Sequence, residues 1–267
     1  MLTTLTKPDL ETEVWRCLER VNDPELDEPL TELGFVERVE VIDNRRVEVG
    51  FRLPTYWCSP NFAFLMAIGI RRAIEALRWV QEIRVVLYDH CFGDEVNEGV
   101  NNGRAFNEVF AEYCDGANLD AVAEKFLAKA FDRRQEAVLV ELRSHGLSAE
   151  QIVSMTLSEF DRIEFRNDEA IRQKPRYREL LLTRQLAERP EDPAFPTWGG
   201  QTLTAGTLPQ HLDRLRLTRL NMEFNGAMCR DLAATRYKEI QIGPDGPTLV
   251  DFIAGRVPPR DDGTAHR

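Results

Sequence analysis

The stretch from Arg46 to Leu77 leaves a chain of this kind the fewest choices. Val47, Val49, Phe51 and Leu53 alternate with Arg46, Glu48, Gly50 and Arg52, the period-two pattern of a strand with one buried face. The pattern then changes to a helical one. Ser59 followed by Pro60 supplies a capping hydroxyl and then a proline suited to the first helical position. Strand and helix must therefore meet at a short turn, and Cys58 stands on it, one residue ahead of the cap. A thiol so placed is expected to face unpaired helix N–H groups and the positive end of the helix dipole, both of which favour the thiolate. A thiolate binds soft metals or attacks electrophiles, whereas a buried free cysteine is only a small apolar residue. Position alone leaves both readings open.

The flanking sequence supplies partners for this unit. Leu10, Val14, Cys17, Leu18 and Val21 recur at helical spacing between charged residues, predicting an amphipathic helix over 8–21. Thr6 and Asp9 at its start resemble a capping box. Asn22-Asp23-Pro24-Glu25 ends it in a turn, followed by an acidic loop. Val39 and Val41 mark a strand that Asp43 and Asn44 turn back into the strand from Arg46, and Ile83, Val85 and Leu87 mark a third. The order αββαβ predicts an antiparallel hairpin joined by a helical crossover to a parallel third strand. The fold class is α+β, a small sheet covered by two helices over 1–104 and a mainly helical region over 105–267.

Asp23-Pro24-Glu25-Leu26, then Leu33-Gly34-Phe35-Val36, then a strand running into a threonine and cysteine turn before a helix, together resemble the SufT- and PaaD-like metal–sulfur cluster assembly family. The resemblance covers 8–88, about a third of the chain. It implies an accessory protein that helps load iron–sulfur or related iron centres into client enzymes, handling iron or a cluster only transiently. It also implies that Cys58 is the residue most tied to activity, with Asp23, Glu25 and Thr55 at the matching acidic and polar positions. Its partners would be a client metalloenzyme and other assembly proteins, with a homodimer left open. PaaD-like relatives accompany multicomponent oxygenases, which extends the expectation to a client of that type. The chain departs from the family pattern where Ser59 separates the cysteine from proline, where Pro54 replaces a threonine, and where Tyr56-Trp57 replace a proline-glycine pair.

Past the third strand, Asp89-His90-Cys91 and Gly93-Asp94-Glu95 lead into Glu98-Gly99-Val100-Asn101-Asn102-Gly103, read as a loop rich in turn formers. His90, Cys91, Asp94 and Glu95 form a second candidate ligand set by residue type, set against a solvated loop with one half-buried histidine. Farther on, Leu119, Val122, Phe126, Leu127, Ala130, Val138 and Leu142 form a long apolar stripe. Glu141 and His145 on it lie four apart and read as a local ion pair before a metal pair. Ser148 with Gln151 is a capping box, and two short helices and a helix over 168–186 follow. The stretch 189–209 is a loop around Trp198. A last helix spans 208–237 with Leu212, Leu215, Leu220, Phe224 and Met228 near one face, Cys229 in the core, and a loose polar tail from Val257 onward.

The net charge of −11 and pI near 5.0 argue against nucleic acid, which is bound through excess lysine and arginine. The longest apolar run, 62–70, is too short to span a bilayer. No signal peptide is read at the N-terminus. Five cysteines at irregular spacing do not form a disulfide framework, which suggests a reducing cytoplasm. Three functions compete: an assembly factor whose helical region selects a client, an enzyme with Cys58 as nucleophile and His90 as base, and an adaptor that only binds a partner.

Overall fold

The computed structural model describes residues 6–112 and 119–236; the expected polar tail and the end of the last helix at Tyr237 lie outside them. The described residues fall into two compact units, one made of residues up to 122 together with those from 225 onward, the other of 123–224.

The first unit is built on three strands. α1 (Lys7–Leu18) starts at Thr6, whose backbone N–H and hydroxyl both donate to Asp9, and it buries Leu10, Val14 and Leu18. β1 (Val36–Ile42) and β2 (Arg46–Arg52) pair antiparallel. The tight turn between them places Asp43 and Asn44 at φ of 53° and 55°, a backbone region these two side chains tolerate. After α2 (Pro60–Glu75), β3 (Glu82–Tyr88) returns parallel to β2, so β2 is the central strand. Val47, Val49, Phe51 and Leu53 are all fully or almost fully buried, as their alternation requires. At Gly50 a Cβ would come within 2.3 Å of the Tyr88 ring, so only glycine lets that ring lie across the middle of the sheet.

The stretch expected to be a loop after β3 is largely helical. α3 (Gly93–Asn101) was hidden by its glycines and asparagines, which weaken a helix taken alone. Two of those asparagines have a job at the sheet edge. Leu87 N–H donates to Asn97 Oδ1 at 2.7 Å, and Asn97 Nδ2 donates to the Leu87 carbonyl at 3.1 Å. Asn101, one turn on, does the same for Val85 at 2.9 and 2.8 Å. Two side chains on one helix face thus supply hydrogen bonds of the kind a fourth strand would give, and the edge is covered rather than left open to pairing with another chain. Gly99 on α3 permits the close approach, since a Cβ there would meet Val109 at 2.6 Å and Phe64 at 3.0 Å. A short α4 (Phe106–Val109) completes this end, with Phe64, Phe106 and Phe110 packed edge to face or tilted.

The second unit is helical: α5 (Leu119–Ser144), which begins in the first unit, then α6 (Ala149–Val153), α7 (Leu157–Arg162), α8 (Asp168–Thr183) and the first half of α9 (Leu208–Arg236). Capping boxes at Ser148/Gln151 and Thr156/Glu159 start the two short helices. Phe131, Leu139, Phe160, Tyr177 and Leu215 belong to one core, with Trp198 of the connecting loop packed on it. The expected single apolar face of α9 is divided. Leu215 is buried, whereas Leu220, Phe224 and Met228 are exposed. No described helix is long and apolar enough to cross a membrane.

Candidate functional site

The turn from Leu53 to Ser59 carries the candidate thiol. Ser59 is the residue before α2 and Pro60 is its first residue, but the Ser59 hydroxyl makes no capping bond. Its backbone carbonyl instead accepts from the N–H of Phe62 and of Ala63. Cys58 is half-buried, and its Sγ lies 3.1 Å from the Thr55 hydroxyl. The hydroxyl, not the helix N–H array expected from the sequence, is therefore the polar group placed against the sulfur. Tyr56 and Trp57 meet edge to face with centroids 5.8 Å apart, and Trp57 is 76% exposed, so the aromatic pair faces outward beside the thiol.

His90 holds this turn in place. Phe92 N–H donates to His90 Nδ1 at 3.1 Å, which fixes the proton on Nε2, and Nε2 then donates to the Cys58 carbonyl at 2.8 Å. Burial lowers the pKa of the imidazole, with the bond to Cys58 opposing, so the neutral tautomer matches its surroundings. Next to it, Cys91 N–H donates to the Tyr56 carbonyl at 2.8 Å. His90 thus acts on the backbone of Cys58 and not on its sulfur, and the pairing needed for a histidine-activated nucleophile is not assembled. The second candidate ligand set is also dispersed: His90 is buried, whereas Cys91, Asp94 and Glu95 are exposed. Among the described residues no three of His, Cys, Asp and Glu are gathered closely enough to hold a metal ion. Glu141 and His145 form the local pair, at 3.2 Å, and Glu141 Oε1 also accepts from Arg166 and Asn167 N–H at the start of α8. Those backbone bonds, that to Arg166 first, lower the Glu141 pKa.

Asp23 and Glu25 lie on a turn closed by its own backbone. Asp23 Oδ1 accepts from Glu25 and Leu26 N–H, both at 2.8 Å. Asp27 N–H donates to the Asp23 carbonyl, and Asp23 N–H to the Glu28 carbonyl. Asp27 takes a positive φ of 54° and accepts from the Asn22 amide at 2.9 Å. Burial pushes Asp23 up to about 6, against those two backbone bonds and with help from the charges of Glu25 and Glu28.

The last residues of α9 come down on this turn. Asn225 donates to Glu25 at 3.2 Å, and Arg230 pairs with Glu28 at 2.9 Å. Arg236 donates to the Asp89 carbonyl at 2.9 Å, pairs with the Asp89 carboxylate, and sits over the Tyr56 ring. Between Asn225 and Arg236 is Cys229, packed on the same core as Cys58. Its thiol is pushed up to about 11, by burial first and then by the negative charge of Asp23, Cys58 and Glu25. Cys229 thus lies close enough to feel the charge of all three. Sequence reasoning placed it in the core of a distant helix, because nothing local signals contact with a turn some two hundred residues earlier. A groove of about 910 Å³ is lined by Ile68, Arg72, Phe106 and Leu119, among others, and shares no residue with this region.

No curated protein matches the chain. The model of the iron-sulfur cluster assembly protein family matches residues 11–85, a span that takes in the Asp23–Glu25 turn, both strands of the hairpin, Thr55 and Cys58, so the N-terminal part of this chain is a domain of that family.

Proposed function

We propose that the protein is an accessory factor that carries iron, or an iron–sulfur cluster, to a client metalloenzyme, with Cys58 as the thiol that touches the cargo. The observation that carries this reading is the half-buried Cys58 beside the Thr55 hydroxyl, on a pinned turn inside the segment that matches the assembly family. Thr55 orients the sulfur, and His90 fixes the backbone that presents it. Among the described residues no three His, Cys, Asp or Glu ligands gather, and a site of that kind suits transit, because donor and client supply the remaining ligands and can then take the metal away. Asp23 and Glu25 add acidic groups that a cation would relieve. The exposed Tyr56-Trp57 pair offers the client an aromatic contact next to the thiol. A multicomponent oxygenase is the client class the family resemblance favours.

The test is Cys58→Ala, measured for iron content after anaerobic purification and for activation of the co-expressed client. We expect the variant to fold with a thermal midpoint close to that of the parent, and to lose client activation. Intact activation would remove Cys58 from the reading and favour an adaptor that works through the aromatic pair alone.

A further inference from the structure

The family match ends at residue 85, yet the thiol site contains a residue from far beyond it. Asn225, Cys229 and Arg236 lie four and seven residues apart on α9 and so share one helix face. The two outer members are tied to opposite sides of the site, Asn225 to Glu25 and Arg236 to Asp89 and Tyr56. Cys229 between them is half-buried on the same core as Cys58. Two free thiols from sequence-distant elements therefore lie on one core, near enough for the charge of Cys58 to act on Cys229, beside a turn that presents one of them to solvent.

We propose that Cys58 and Cys229 are a reversible thiol pair, closed to a disulfide by exchange with a low-molecular-weight disulfide such as glutathione disulfide. The Cys58 thiolate attacks one sulfur of glutathione disulfide, the S–S bond breaks, and one glutathione leaves and takes up a proton. Cys229 then loses its proton and attacks the Cys58 sulfur, expelling the second glutathione. Two protein thiols are oxidised, and the two electrons reduce one glutathione disulfide to two glutathiones. The closed form fastens α9 to the Cys58 turn and withdraws the sulfur from any cargo. That consequence rests on the proposed assembly role, whereas the pairing itself does not.

The reduced full-length protein is equilibrated in glutathione buffers of falling thiol-to-disulfide ratio, the remaining thiols are alkylated, and crosslinked peptides are mapped by mass spectrometry. We expect two of the five thiols to disappear together and one peptide to join Cys58 to Cys229, released again by dithiothreitol. Cys91→Ser should keep the link, and Cys58→Ser or Cys229→Ser should abolish it. The unmutated protein decides the matter without relying on how the variants fold. Cys58 found as a mixed disulfide with glutathione while Cys229 remains alkylated, or Cys58 joined to Cys91, overturns the pairing. The map needs neither client nor iron, so a missing link counts against the pair whatever Cys58→Ala does to client activation.

Discussion

The two units bury polar groups in opposite ways. In the helical unit, every buried member of one network has a partner. Gln135 Nε2 donates to Pro196 O at 2.7 Å and lies 2.8 Å from the Tyr177 hydroxyl, which itself donates to Ala194 O at 2.9 Å. Gln135 Oε1 faces His211 Nε2 at 2.6 Å. Asp132 meets Arg214, and Glu136 meets Arg219. In the sheet unit, burial instead raises Asp23 among Glu25 and Glu28 and raises the Cys229 thiol, with the charge of its neighbours adding to it. A satisfied network stabilises one arrangement. A buried acid held among other acids costs stability at neutral pH. The contrast separates a region whose buried polar groups are mutually satisfied from one where burial opposes the charge it encloses.

The largest effect should come from breaking the satisfied network. Tyr177 is fully buried and lies against Phe131, Phe160 and Phe195. Tyr177→Ala should cost about 3–5 kcal/mol, the range for deleting a buried aromatic ring. Tyr177→Phe should cost about 1–3 kcal/mol, because the Ala194 carbonyl loses its donor. Urea unfolding reads both. Equal costs for the two variants would mean that the hydroxyl's hydrogen bonds, not ring packing, dominate at this position.

The strained region should respond with the opposite sign. Asp23 keeps its proton in the native chain up to about pH 6, while its ordinary value is 3.8. Between those values the native state binds more protons than the unfolded one, so stability falls as pH rises through the window. Above it the full penalty applies, at most about 3 kcal/mol. Asn at this position keeps an oxygen for the Glu25 and Leu26 N–H groups but carries no charge. Asp23→Asn should therefore stabilise the metal-free protein at pH 7 and flatten its stability between about pH 4 and 6. Parallel pH curves for parent and variant would show that the carboxylate is not strained.

Much of this was legible in the sequence where the signal is local. Alternation at Val47–Leu53, the Ser59-Pro60 start and the capping boxes at Thr6 and Ser148 depend on neighbours within four residues, and each marked its element. α3 was missed because its reason to be helical lies across space. Asn97 and Asn101 weaken the helix locally but complete the edge of β3, a gain that no window on the sequence contains. Cys229 was missed likewise, since its meaning depends on contacts with a turn some two hundred residues away. The role of His90 was only half legible. Its nearness to Cys58 could be guessed, but not that its nitrogen would reach the carbonyl and leave the sulfur alone.

The edge cover gives the next prediction. Asn101→Ala removes the partners of both the Val85 N–H and the Val85 carbonyl. Val85 is buried, so the loss should fall in the range for unsatisfied groups, about 1–3 kcal/mol. Hydrogen exchange at the Val85 amide should accelerate at the same time. Unchanged protection there would show that α3 shields the edge by burial alone.

The smallest effect tests what holds the end of α9 against the acidic turn. Arg230 pairs with Glu28 at 2.9 Å, but the arginine side chain is 49% exposed. Such a pair contributes about 0.2–1 kcal/mol, because water screens it and both side chains lose freedom. At 1 M salt the screening length falls to about 3 Å, comparable to the pair distance itself. Arg230→Ala should accordingly destabilise by under about 1 kcal/mol in dilute buffer and by less at high salt, measured by paired urea titrations. Cys229, by contrast, is held through burial on the core it shares with Cys58, an interaction that salt does not weaken. If α9 is seated mainly by that burial, alkylation of Cys58 in the Arg230→Ala protein should stay close to the parent rate at both salt levels. Faster alkylation of the variant in dilute buffer, matched by the parent only at high salt, would instead make the charge pair the latch, and would move the control of the thiol from packing to electrostatics.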